Sequence, residues 1–224
     1  MKKLIIKSIF VLILFPILGM AQSPKFQEGK IVYSITYSDM DLDPQAVQML
    51  PTETHMFFKD NMSRVEMNMG MGTTVVIANG KTGSATTLMD MMGHKISMTM
   101  NKADMEKVRD KYKDKNEVKI NYTEGTKTIC GFSCKRAEIV YDESEEPMEV
   151  YYTDDITAYN ANFSTEYPEL KGFPLQYTVS QQGMTMKLIA NKVSTEKLDK
   201  KLFEIPEGYK ETKPEDLQKM FGGQ

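Results

Sequence analysis

Lys30-Ile31-Val32-Tyr33-Ser34-Ile35-Thr36-Tyr37 sets Ile31, Tyr33, Ile35 and Tyr37 on one side of an extended chain and Lys30, Ser34 and Thr36 on the other. Successive side chains of a strand point to opposite faces, so a period of two predicts a strand with one apolar and one wet face. The pattern recurs downstream. Val65, Met67 and Met69 alternate with Arg64, Glu66 and Asn68, and Ile96, Met98 and Met100 with Ser97 and Thr99. Val118, Ile120 and Tyr122 follow, then Ala137, Ile139 and Tyr141, then Met148, Val150 and Tyr152. Leu175, Tyr177 and Val179, and finally Met184, Met186 and Leu188, close the series. Two further strands are expected at 54–59 and 73–78, the second ending at the hairpin dipeptide Asn79-Gly80.

About ten one-sided strands in succession predict a mainly β (α+β) fold. It would be a curved, half-open antiparallel sheet, a half-barrel, with its apolar face covered or curled on itself. Helical signals are few. Asn101 is a cap candidate for a helix running to Lys113, with Met105, Val108 and Tyr112 on one face, expected to lie across the mouth of the sheet. A helical turn is expected at 43–50, stopped by Pro51, and a short terminal helix at 214–221 behind Pro214. The chain is expected to turn irregular at Asp154-Asp155.

The N-terminus has the layout of a secretory signal: Lys2, Lys3 and Lys7, then an apolar run from Ile9 to Leu18, then Gly19-Met20-Ala21. The run is shorter than the roughly 20 residues that span a bilayer. Cleavage is expected between Ala21 and Gln22, leaving 22–224 as a single domain in the periplasm or secreted beyond it. No second apolar run predicts a membrane span. Processing removes three lysines from a chain whose net charge is already −3, and an acidic protein lacks the field that nucleic-acid binding needs.

Cys130 and Cys134 are the only cysteines. Outside the cytoplasm a disulfide can persist, and Gly131 suits a tight turn between strands. Residues flanking such a turn face each other at about 4.5–5.5 Å between Cβ atoms, slightly wide for the bond. A local Cys130–Cys134 staple is the expectation, closing too small a loop to stabilise much. The spacing is not the C-x-x-C of a redox centre.

Catalytic and cofactor patterns fail. His55 and His94, the only histidines, have no histidine or cysteine at metal-ligand spacing. There is no Gly-x-Ser-x-Gly elbow. Gly80-Lys81-Thr82 resembles a phosphate loop, but Val75 stands where its first glycine belongs. The acidic run 142–146 lacks the alternating ligands and glycine of a calcium loop and reads as a solvated hairpin tip. A non-enzymatic protein without cofactor is expected.

The anomaly is methionine. Of 19, 13 lie between Met40 and Met105, several on the apolar side of a strand. Methionine packs irregular cores, and a plain core is one reading. An adaptable apolar groove is the second, since thioether side chains bend to accept varied partners. Met67, Met69, Met98, Met100, Met184, Met186 and Leu188 would line it. Each buried methylene contributes about 0.8 kcal/mol, so an acyl chain of about 14 carbons gains roughly 10 kcal/mol gross, from which association takes at least about 4 kcal/mol. Micromolar affinity is then within reach without a polar contact. The third reading is capture of a soft ion such as Cu(I) or Ag(I) by thioethers with His94 or the cysteines, best placed at Met89-Asp90-Met91-Met92-Gly93-His94. Partners follow: a lipid or other apolar small molecule, or another envelope protein.

The signal, Gly29-Lys30-Ile31-Val32-Tyr33-Ser34, Thr128-Ile129-Cys130-Gly131-Phe132-Ser133-Cys134-Lys135, Tyr151-Tyr152-Thr153-Asp154, Leu170-Lys171-Gly172-Phe173-Pro174-Leu175 and Phe203-Glu204-Ile205-Pro206-Glu207-Gly208-Tyr209 together resemble a family. It is that of exported Bacteroidetes proteins carrying the domain of unknown function numbered 4412, similar in turn to the LolA/LppX-like lipoprotein carriers. The resemblance implies one domain over nearly the whole mature chain, one or two helices on the concave side of the sheet, and a cavity that in the better-known relatives accepts acyl chains. It carries over no catalytic residue.

Overall fold

The computed structural model describes residues 25–38, 43–113, 119–140, 147–157, 169–181 and 184–213. The signal segment with its cleavage point, the acidic run 142–146 and the expected terminal helix at 214–221 lie outside them.

The strands are β1 (Glu28–Ser38), β2 (Glu53–Lys59), β3 (Met62–Met69), β4 (Gly72–Asn79), β5 (Ser84–Met91), β6 (His94–Met100), β7 (Lys119–Ile129), β8 (Phe132–Val140), β9 (Met148–Thr153), β10 (Phe173–Gln181), β11 (Met184–Ser194) and β12 (Lys210–Glu211). They form one open sheet of twelve strands, in the order β12-β6-β5-β4-β3-β2-β1-β11-β10-β9-β8-β7. The fold is mainly β, as the alternation predicts, with two strands more than expected: β5, masked in sequence by its threonines, and the two-residue β12. Two antiparallel meanders, β1–β6 and β7–β11, are joined at β1 and β11, with Ile31 registered on Val193, Ile35 on Leu188 and Tyr37 on Met186.

Helix α1 (Pro44–Val47) begins where expected, with the Asp43 carboxylate accepting from the backbone N–H of Gln45 at 2.8 Å. Helix α2 (Lys102–Lys113) starts behind Asn101, whose side-chain oxygen accepts from the Asp104 N–H at 3.0 Å. It follows directly on β6 and packs beside it. The β4–β5 hairpin forms where Asn79-Gly80 predicts it, with Asn79 registered on Ser84. Its loop runs through Gly83, which takes the positive φ of 67°, while Asn79 Oδ1 accepts from the N–H groups of Lys81 and Thr82.

Cross-strand partners share a face, so the register divides the sheet into a front, bearing Tyr33, Met56 and Val65, and a back, bearing Val75, Ile77 and Leu88. The main core lies on the front of β1, β2, β10 and β11, where Ile31, Tyr33, Phe58, Leu175 and Leu188 are buried. Phe26, Ile156 and the tip of the β7–β8 hairpin, with Ile129, Phe132 and Cys134, pack against them. The sheet curls enough for the Cys130 thiol, at that tip, to donate to the Ala190 carbonyl of β11 at 3.3 Å. On the back, residues 195–209 form a strap across β2–β6. Lys59 donates to the Leu198 carbonyl at 2.6 Å, Arg64 to that of Leu202 at 3.1 Å, and Phe203 seals Val75, Ile77 and Leu88. Lys210–Glu211 then pairs in parallel with β6.

Candidate functional site: the methionine face

The register arranges the front of β3–β6 in rows. One runs Met67–Thr74–Met89–Ile96, the next Val65–Val76–Thr87–Met98, the next Ser63–Ala78–Ala85–Met100. A fourth, at the hairpin ends, runs Met69–Gly72–Met91–His94. Met67, Met69, Met98 and Met100 therefore share one face, as the alternation on β3 and β6 predicts, and β4 and β5 lie between them. Met89 and Met91 join them. Their signal was present in Leu88-Met89-Asp90-Met91, where methionine alternates with a core leucine and a charge, but the run is too short to stand out by periodicity alone.

Packing separates these methionines from those of the core. Met186 and Leu188 belong to the main core beside Ile35 and Tyr37, and Met62 and Met148 pack against the other two clusters. Met184 is half-buried at the start of β11, on the same face as Met186. By contrast, Met67, Met69, Met89, Met91, Met98 and Met100 enter none of the three core clusters found among the described residues. Met67, Met89, Met91, Met98 and Met100 are half-buried, and Met69 is 39% exposed. This part of the sheet is thus sealed behind by the strap and carries a row-ordered layer of thioether side chains in front.

The cysteines do not form the expected staple. Both are free thiols. Cys130 and Gly131 are themselves the two-residue turn, with φ of 51° and 84°, the left-handed pair that a tight hairpin requires. Ile129 faces Phe132 across it, and Cys134 faces Lys127. The two sulfurs are therefore not cross-strand partners. Burial pushes the Cys134 thiol up to about 11 and raises that of Cys130, the opposite of what a reactive centre needs. Among the described residues, no group of three or more His, Cys, Asp or Glu side chains could hold a metal ion.

A family model described as a domain of unknown function (DUF4412) matches residues 39–209. The chain belongs to the DUF4412 family. Its matched span runs from just before α1 to the end of the strap, so the methionine face and its backing both lie inside the DUF4412 domain. No curated protein matches the chain. Among solved structures, two crystal forms of PNGF-II share the fold, each with a TM-score of 0.52. In the C2 form the identity is 17% over 86% of this chain, and in the P21 form 16% over 88%. The chain spans about a third of PNGF-II, 32% and 33% of the two chains. At this identity the likeness concerns the fold alone.

Proposed function

We infer that the DUF4412 domain of this protein is a non-enzymatic binding module for an apolar ligand, a lipid or an acyl chain, taken up on the front of β3–β6. The observation that carries this reading is the set of methionines on that face that belong to no core cluster among the described residues. Thioether side chains adapt to guests of different shape, and the strap provides a rigid back. Met67, Met89, Met98 and Met100 form the floor; Met186 and Leu188, part of the main core, lie beyond it. The signal-like N-terminus supports a protein that works outside the cytoplasm, in the periplasm, in the manner of the LolA-like carriers its motifs resemble.

Native mass spectrometry of the protein purified from its host envelope tests the reading, together with uptake of a fluorescent fatty acid. Bound lipid is expected, and Met98→Lys is expected to weaken uptake at least tenfold without unfolding the domain, because the added ammonium sits in the apolar floor. A protein that emerges lipid-free and takes up no fatty acid overturns it. N-terminal sequencing of the same material checks export, with Gln22 as the expected first residue.

A further inference from the structure

The hairpin ends of the front face bring three soft donors into one row. Met69 is registered on Gly72 across the β3–β4 turn, Gly72 on Met91, and Met91 on His94 across the β5–β6 turn. Read across the strands, the row is thioether, bare position, thioether, imidazole. Partners in register share a face, so all three donors stand on the front. Gly72 carries no side chain to separate the two methionines, and a Cβ there would lie 2.1 Å from the Asp90 carbonyl oxygen. Met69 and Met91 thus flank a position that carries no side chain, two strand spacings apart, about 10 Å at the backbone, a distance within the combined reach of two methionine side chains. Met49 adds a fourth donor at the margin: its side chain lies over Gly70, whose N–H donates to the Met49 carbonyl at 3.2 Å.

The row is open to solvent, with Met49 and Met69 48% and 39% exposed and His94 exposed. The neighbouring charges, Asp90 and Lys95, are registered on each other on the back of the hairpin. None of the four registered residues carries a carboxylate, so the side chains of the row offer a hard cation no charged oxygen. Thioether sulfur and imidazole nitrogen without carboxylate are the donor set of a soft ion.

We propose that Met69, Met91 and His94, with Met49 at the margin, form a surface site for a soft monovalent cation, Cu(I) or Ag(I). This goes beyond the apolar-ligand reading and stands or falls separately from it. The probe is Ag(I), titrated against the full-length mature protein in a Cys130→Ser background that removes the exposed thiol; alkylated wild-type protein serves if that variant folds poorly. Methionine methyl and histidine ring resonances report the site. One equivalent of Ag(I) is expected to move the methyl signals of Met69 and Met91 and the ring signals of His94. Met69→Leu with Met91→Leu is expected to lower affinity at least 100-fold, while Met148→Leu on β9 leaves it unchanged. Saturation without movement of those signals, or a double variant that binds as tightly as its parent, overturns the proposal.

Discussion

Four residues apart on one hairpin, Cys130 is exposed at the turn and Cys134 has no exposed surface. At neutral pH an excess of a soluble thiol reagent is expected to label one cysteine per folded chain promptly and the second only on unfolding. Two prompt thiols, or none, would contradict the packing. The same burial has a pH signature. The folded state holds the Cys134 thiol protonated up to about 11, against an ordinary value of 9.0. The resulting stabilisation is complete below pH 9.0 and is lost as pH rises toward 11. Tyr33, also buried and donating to the Pro174 carbonyl at 2.8 Å, is likewise raised well above its ordinary 10.0 and extends the loss further up. Denaturant midpoints measured from pH 8 to 11 should fall, and Cys134→Ala should fall less steeply than its parent.

Among the elements, the strap has the most consequence for its small size. Phe203 closes the back of β4 and β5 over Val75, Ile77 and Leu88. Truncation of a buried phenylalanine costs about 3–5 kcal/mol, so Phe203→Ala is expected to lower the urea midpoint substantially; a change below about 1 kcal/mol would show that the strap is dispensable. Its entry is pinned by Glu28, which accepts from Lys59 and from the Leu198 N–H, both at 2.6 Å. The Lys59 hydrogen bond, with that of Leu198, holds the Glu28 carboxyl below its ordinary 4.5. A lowered folded value means that the contribution is present above pH 4.5 and lost as pH falls through the folded value. Limited proteolysis at Lys197 should therefore accelerate in acid, and Glu28→Gln should show that faster cleavage already at pH 7. The strap was visible in sequence only as Phe203-Glu204-Ile205-Pro206-Glu207-Gly208-Tyr209, punctuation with no periodicity, because its contacts are to distant strands. The strands themselves were legible wherever one face is wet. β5 was not, since Thr86 and Thr87 blur the alternation, and neither was the place of Cys130 in its turn, which depends on the register of β7 with β8.

Across the whole molecule the decisive pairing is β1 with β11, and it draws on opposite ends of the chain. Non-local pairing slows folding, so refolding is expected on the scale of milliseconds to seconds, measurable by stopped-flow tyrosine fluorescence; a microsecond phase carrying the full amplitude would show that the two meanders fold without each other. Sequence patterning foresaw an open antiparallel sheet because period two survives at any strand order. It could not give the order, nor show that the methionines of β3, β5 and β6 lie in common rows while Met186 of β11 joins the core, because rows are set by hairpin lengths and a bulge between Val32 and Tyr33.

Leu198 reaches back across 170 residues to the carboxylate of Glu28. On a ribosome adding about 5–20 residues per second, the first strand waits about 10–30 s for the segment that fastens it. Until then β1 to β6 can zip up as successive hairpins, but the back of that ribbon stays bare, and a chaperone that meets the nascent chain finds Val75, Ile77 and Leu88 without their cover.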